Sequence, residues 1–208
     1  MDGSGATAGR EDRQDEILGA ALALLVENAD RFTMEAVARR ASCSKETLYR
    51  WFGDRDGLLT AIVRWQASKV TAGAFEPGRL DAATLRAGLE DFAATWLGVV
   101  SGPASIALNR AAGASAGGGK EELGRIVLAE GRFAIGERVK PLLEAGRAAG
   151  LIAFDDPEAA FRTLFGLTAR DVQIRLLLGD TPRLDIDSES KRAADQFLAL
   201  YATHSRPT

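Results

Sequence analysis

The side chains best suited to chemistry crowd into one short stretch, where Ser44, Lys45, Glu46, Thr47, Tyr49 and Arg50 stand nearly consecutively. Hydroxyls, a phenol and two cations at this spacing suit hydrogen bonding to phosphate oxygens and to the edges of bases. Catalytic chemistry is poorly provided for elsewhere. The chain has one His, His204, and one Cys, Cys43. His204 has no clustered partner that could share a metal and reads as a surface group, so His-based acid–base or nucleophilic catalysis is not expected. A single Cys excludes an internal disulfide and a thiolate zinc site, and it fits a reducing compartment. Cys43 reads as a small residue packed in a tight turn, with redox sensing as the alternative. Gly117-Gly118-Gly119-Lys120 imitates a phosphate-binding loop, but Ala114 stands where the first glycine belongs and Glu121 where a hydroxyl is required. No strand pattern precedes it, so it reads as a flexible loop. No cofactor and no metal are expected, and the chain is not expected to be an enzyme.

Those polar residues need elements to aim them. Thr33 precedes an apolar stripe, Met34, Val37, Ala38 and Ala41, and Ser44 precedes Leu48 and Phe52 at i, i+4; each is a helix N-cap by type and place. Ser42-Cys43-Ser44 joins the two helices at the spacing of a helix-turn-helix. With Leu48 and Phe52 inward, Lys45, Glu46, Thr47, Tyr49 and Arg50 lie on exposed arcs of the second helix. Upstream, Ile17, Ala20, Ala21, Leu24 and Leu25 mark an earlier helix from about Arg13, behind a Gly-rich arm, 1–12, expected to be disordered. Downstream, Gly53 supplies a stop and Asp54 caps a fourth helix carrying Leu58, Ile62 and Trp65.

Charge is segregated along the chain. The whole carries −3, but residues 31–55 hold six bases and three acids, or +3, which leaves −6 for the rest. A polyanion responds to the local patch.

Beyond Gly73 the cluster Phe75-Glu76-Pro77-Gly78 marks a boundary, so the chain is expected to divide into 13–73 and 74–208. Helices are predicted over 81–100, to about 112, over 120–148 with a bend near Pro141, over 157–178, and over 188–203. Period-two patterns are absent, which makes the fold class all-α. The longest apolar run, Ile17 to Val26, is far shorter than the ~20 residues of a membrane span, and no basic region precedes it as in an export signal. A soluble cytoplasmic protein without a membrane partner is expected.

Residues Ile17 to Leu59 resemble the N-terminal DNA-binding domain of TetR-family transcriptional regulators. The likeness rests on Ala20-Ala21-Leu22-Ala23-Leu24-Leu25, the Thr33 entry, Val37-Ala38-Arg39-Arg40-Ala41, and Ser44-Lys45-x-Thr47-Leu48-Tyr49-x-x-Phe52 followed by Gly53-Asp54-Arg55-Asp56-Gly57-Leu58-Leu59. Ser42 replaces the family's usual turn glycine, and Arg55 its usual lysine. The resemblance implies that Thr33, Tyr49 and Arg55 anchor phosphates while Lys45, Thr47 and Arg50 reach bases. Ser44 and Glu46 complete the set, Glu46 as a possible acceptor for a cytosine amino group. Arg10 and Arg13 would steady nearby DNA backbone or minor groove; Leu48, Trp51 and Phe52 would pack.

The resemblance further implies a homodimer on a palindromic double-stranded operator, with reading helices one DNA turn, ~34–36 Å, apart. A repressor released by an unidentified small-molecule effector is expected, with the fourth helix transmitting the shift. Phe92, Trp96, Asn109, Phe133, Phe165 and Arg170 are the effector-binding candidates, with Phe161, Arg132 and Gln173 near them. The last two helices, through Phe161, Leu164, Phe165, Leu167, Phe197, Leu198 and Tyr201, would supply both core and dimer interface. The alternative is an all-α small-molecule-binding protein or enzyme with a vestigial DNA module. The lack of catalytic histidines and the intact trio Thr33, Tyr49 and Arg55 weigh against it.

Overall fold

Apolar residues recur every three or four positions along most of the chain, and each such run becomes a helix. The computed structural model describes residues 3–27, 31–116 and 121–203, with side chains from Arg10 onward. Its helices are α1 (Gly3–Glu27), α2 (Met34–Arg40), α3 (Lys45–Phe52), α4 (Arg55–Ala67), α5 (Ala82–Val100), α6 (Pro103–Ser115), α7 (Glu122–Ile126), α8 (Ala134–Ala148), α9 (Pro157–Ala169), α10 (Val172–Leu177) and α11 (Ile186–Tyr201). A π-helical segment, Val127–Phe133, joins α7 to α8. An isolated bridge between Ile152 and Ala202 is the nearest approach to a sheet among the described residues, so the fold is all-α. None of these helices is long and apolar enough to cross a membrane. His204 and the stretch 117–120 lie outside the described residues.

Three local expectations are corrected. Helix begins at Gly3 rather than near Arg13; extending a formed helix backwards needs no new nucleus, and Ala6 and Ala8 favour it. The irregularity predicted at Pro141 is instead the π segment, and Pro141 is accommodated inside α8. The helix expected over 157–178 breaks at Arg170, which takes φ 42°. That break is held from α11: Arg192 donates to the Leu167 carbonyl at 2.9 Å, and Arg170 pairs with Glu189 at 3.0 Å.

By packing, one unit comprises the chain up to Ala67 together with Pro103–Gly131, and the other comprises Ser68–Gly102 with the chain from Arg132 onward. The chain returns to the first unit after α5. Leu108 of α6 and Leu123 and Ile126 of α7 are buried in one apolar core with Ile17 and Leu25 of α1, Val37 of α2, Leu48 of α3, and Leu58 and Ile62 of α4. The second unit is centred on Leu89 and Phe92 of α5, Val139 and Leu142 of α8, Phe161 and Leu164 of α9, and Phe197 of α11, all at 0% exposure. Gly136 of α8 lies so near Phe161 that an added Cβ would sit 2.7 Å from its ring. Phe161, Leu164 and Phe197 are therefore spent on their own core and are not available to a partner.

Candidate nucleic-acid interface

The reading element is built from its caps. Thr33 is extended (φ −130°, ψ 154°) and its hydroxyl oxygen accepts from the Ala36 amide at 3.2 Å, starting α2. Ser44 does the same for α3, accepting from the Thr47 amide at 3.1 Å. A cap uses a lone pair and leaves the hydroxyl proton, so the Thr33 hydroxyl can still donate to a phosphate. Ser44 Oγ also lies 3.1 Å from Thr47 Oγ1, which ties Thr47 to the helix start.

Between the helices Ser42 takes φ 50°, the left-handed conformation that glycine would adopt without strain. Arg13 holds it there. Its guanidinium donates to the Ala41 carbonyl at 2.8 Å and the Ser42 carbonyl at 3.2 Å, filling acceptors that the end of α2 leaves open. Arg13 thus holds the turn, and because it stands 28 positions before Ala41 no local pattern could have announced it. Arg10 lies over the Trp51 ring at 5.9 Å.

On α3, Leu48 is fully buried, while Trp51 and Phe52 are half-buried against each other with ring centroids 6.4 Å apart. That fixes the opposite face. Lys45, Glu46, Tyr49 and Arg50 are exposed, Tyr49 by 54%. Arg50 has no ion-pair partner among the described residues, whereas Lys45 reaches Glu35 at 3.0 Å and holds that carboxyl below its ordinary range. The Glu46 carboxyl is lowered first by its own backbone N–H and then by the Ser44 hydroxyl, so it is turned onto the positive end of α3. Behind α3, Gly53 takes φ 77° and Asp54 accepts from the Gly57 amide at 2.9 Å to start α4. Gly57 is required there, since a Cβ would fall 2.0 Å from the Phe52 carbonyl oxygen. Arg55 lies over the Phe32 ring at 5.6 Å with its guanidinium half exposed.

Of the six effector candidates, three come together. Trp96 and Phe165 have ring centroids 4.7 Å apart, and Phe165 meets Phe161, which meets Phe92, at 5.8 and 6.3 Å. Arg132 joins them, its guanidinium carbon 4.4 Å from both the Phe161 and the Phe165 ring centroids. The other three stand apart. The π segment turns Arg132 inward and its neighbour Phe133 outward, at 57% exposure. Asn109 sits in the first unit and donates its amide to the Ser105 carbonyl at 2.8 Å. Arg170 ends α9 in its pair with Glu189.

Comparison with known proteins agrees with this geometry. Residues 17–62 match the family described as bacterial regulatory proteins, tetR family, and residues 87–203 match the AefR-like transcriptional repressor C-terminal domain. A TetR transcriptional regulator from Agrobacterium tumefaciens is 44% identical over 92% of this chain and 95% of its own, with a TM-score of 0.80. A TetR-family regulator from Mesorhizobium loti (24% identity, 93% of this chain and 98% of its own, TM-score 0.70) shares the fold. So does the flavonoid-responsive regulator FrrA (24% identity, 94% and 100%, TM-score 0.67). No curated protein matches.

Proposed function

The chain belongs to the TetR family of DNA-binding transcriptional regulators, and on that premise we propose that it is a homodimeric repressor that leaves a palindromic operator when a small molecule occupies its second unit. The observation that carries this reading is the division of α3 into a buried Leu48 and an outward face of Lys45, Tyr49 and Arg50 behind two capped helix starts. Thr33, Tyr49 and Arg55 anchor phosphates, Ser44 presents the start of the reading helix, and Arg50 and Lys45 reach base edges. Arg50 is free to do so at once; Lys45 must first leave Glu35.

A second copy needs apolar surface that its own fold does not consume. Leu200 of α11, at 65% exposure, and Ile174 and Leu178 of α10 and its end, at 56% and 81%, supply it in the second unit. Effector action follows from linkage: a ligand that prefers the dimer state unable to span two major grooves lowers operator affinity, typically by ~1–3 kcal/mol of coupling.

The test is a titration of full-length protein with its own upstream DNA and with a shuffled duplex, at several salt concentrations. Specific binding tighter by about 10³-fold or more, and falling steeply with salt, is expected. Equal affinity for the two duplexes sinks the reading.

A further inference from the structure

Two buried donors in the second unit have no acceptor among the described residues: the indole Nε1 of Trp96 and Nη1 of Arg132. Trp96 is only 6% exposed. Both flank one ring, since Phe165 lies 4.7 Å from Trp96 and 4.4 Å from the Arg132 guanidinium carbon. Native proteins seldom leave a buried N–H unpaired without a use for it. The Arg132 charge is also poorly compensated. Its nearest carboxylate, Glu158, is 3.8 Å from Nη2, beyond hydrogen-bonding reach, and is held by Lys140 at 2.9 Å. Burial accordingly pushes the Arg132 guanidinium below its ordinary value. The residue stands in the π-helical segment, a wide turn that recurs at functional sites because it re-aims a side chain.

The chemistry of the pair restricts what fits. Indole and guanidinium can only donate. An alcohol, an amine or a neutral carbonyl could accept a hydrogen bond but would leave the guanidinium charge unmatched. A carboxylate accepts from both, and the planar fork of arginine is shaped for it. Phe165 and Trp96 supply flat apolar surface for the rest of the molecule.

We propose that this cluster binds an aromatic carboxylate, its anionic group accepting from Arg132 Nη1 and Trp96 Nε1 and its ring packing beside the Trp96–Phe165 pair. This rests on the second unit being the effector site, and it names the class of effector.

The experiment titrates full-length protein, without DNA, with benzoate, salicylate and 2-naphthoate and with the corresponding amides, by calorimetry and thermal denaturation. At least one carboxylate is expected to saturate at one site per protomer, raise Tm, and bind about tenfold or more tighter than its amide. Arg132→Gln should abolish that preference, and Trp96→Phe should weaken carboxylate binding while leaving amide binding nearly unchanged. Amides binding as tightly as carboxylates, no saturable binding by any of the six, or a preference that survives Arg132→Gln overturns the proposal. The wild-type comparison stands even if a variant does not fold. Operator release is measured separately. Carboxylate binding without release removes the repressor reading and keeps the site, whereas release by other compounds with no carboxylate preference does the reverse.

Discussion

Arg13 and Ser42 act as one device. A non-glycine residue in the left-handed region carries ~1–2 kcal/mol of strain, and the two hydrogen bonds from Arg13 keep the turn closed around it. Ser42→Gly should therefore raise stability by up to about 1 kcal/mol, read as a higher denaturant midpoint at unchanged m-value. Arg13→Ala should lower stability by about 1–3 kcal/mol, because two carbonyls lose a charged donor; no change in midpoint would remove Arg13 from the turn. Next to it, Cys43 is half-buried and its thiol is pushed up by burial, so little thiolate forms at neutral pH and the redox role has no support in its surroundings. On the outward face, Arg50→Ala should weaken specific operator binding by about 1–3 kcal/mol and relax base preference. Tyr49→Phe should weaken specific and shuffled duplexes alike, because a phosphate contact carries no sequence information. Fluorescence anisotropy on both duplexes separates the two roles, and unchanged affinity in both variants would move the interface off α3.

The π segment is the element whose position most invites a transmission role. Glu130 within it takes Arg64 of α4 in a two-bond pair, both at 2.7 Å, and two residues later Arg132 enters the aromatic cluster of the second unit. A ligand drawn to Arg132 would therefore bear on the same short segment whose Glu130 pairs with Arg64, and a π turn has an α-helical alternative one residue out of register. Arg64→Ala is expected to leave operator affinity without effector, and effector affinity without DNA, close to wild type. Coupling between them, measured as the ratio of operator Kd values with and without effector, should shrink toward one; full coupling in the variant would exclude this route. Arg64 holds the Glu130 carboxyl below its ordinary range, so the pair's stabilisation is fully present above that range and is lost as pH falls through the lowered value. Coupling should hold at neutral pH and fade only in acid. None of this is visible in sequence, because Val127–Phe133 has the same apolar spacing as an α-helix. What is visible acts over a few residues: Thr33, Ser44, Gly53 and Asp54 each fix a helix end within four positions, so α2 to α4 and the outward residues of α3 can be read directly. Long-range packing decides the remainder. The seating of α6 and α7 depends on Leu108, Leu123 and Ile126 finding the core of the first unit, and the break at Arg170 is set by α11. The exchange of Phe133 for Arg132 in the cluster follows from one register shift.

At the scale of the whole molecule, a net −3 hides a reading segment of +3 attached to a remainder of −6. Attraction to DNA therefore depends on few cations, and the fold already occupies some of them: Arg40 grips Glu27 with two bonds of 2.6 Å, and Lys45 holds Glu35. Each phosphate neutralised steepens the dependence of log K on log salt by about 0.9. In a dimer Arg55→Ala removes one cation per protomer and should flatten the slope by about 2, with weaker binding to all sequences. Glu35→Gln should do the opposite, since Lys45 no longer has to abandon a carboxylate before it meets phosphate, so both affinity and slope should rise. Arg79, in the second unit and 83% exposed at its side chain, is the control, and Arg79→Ala should leave the slope unchanged. Titrations of one operator at four or more salt concentrations measure all three slopes. If Arg79→Ala flattens the slope as much as Arg55→Ala, the DNA is responding to the whole surface, and a compact reading site is the wrong description of the molecule.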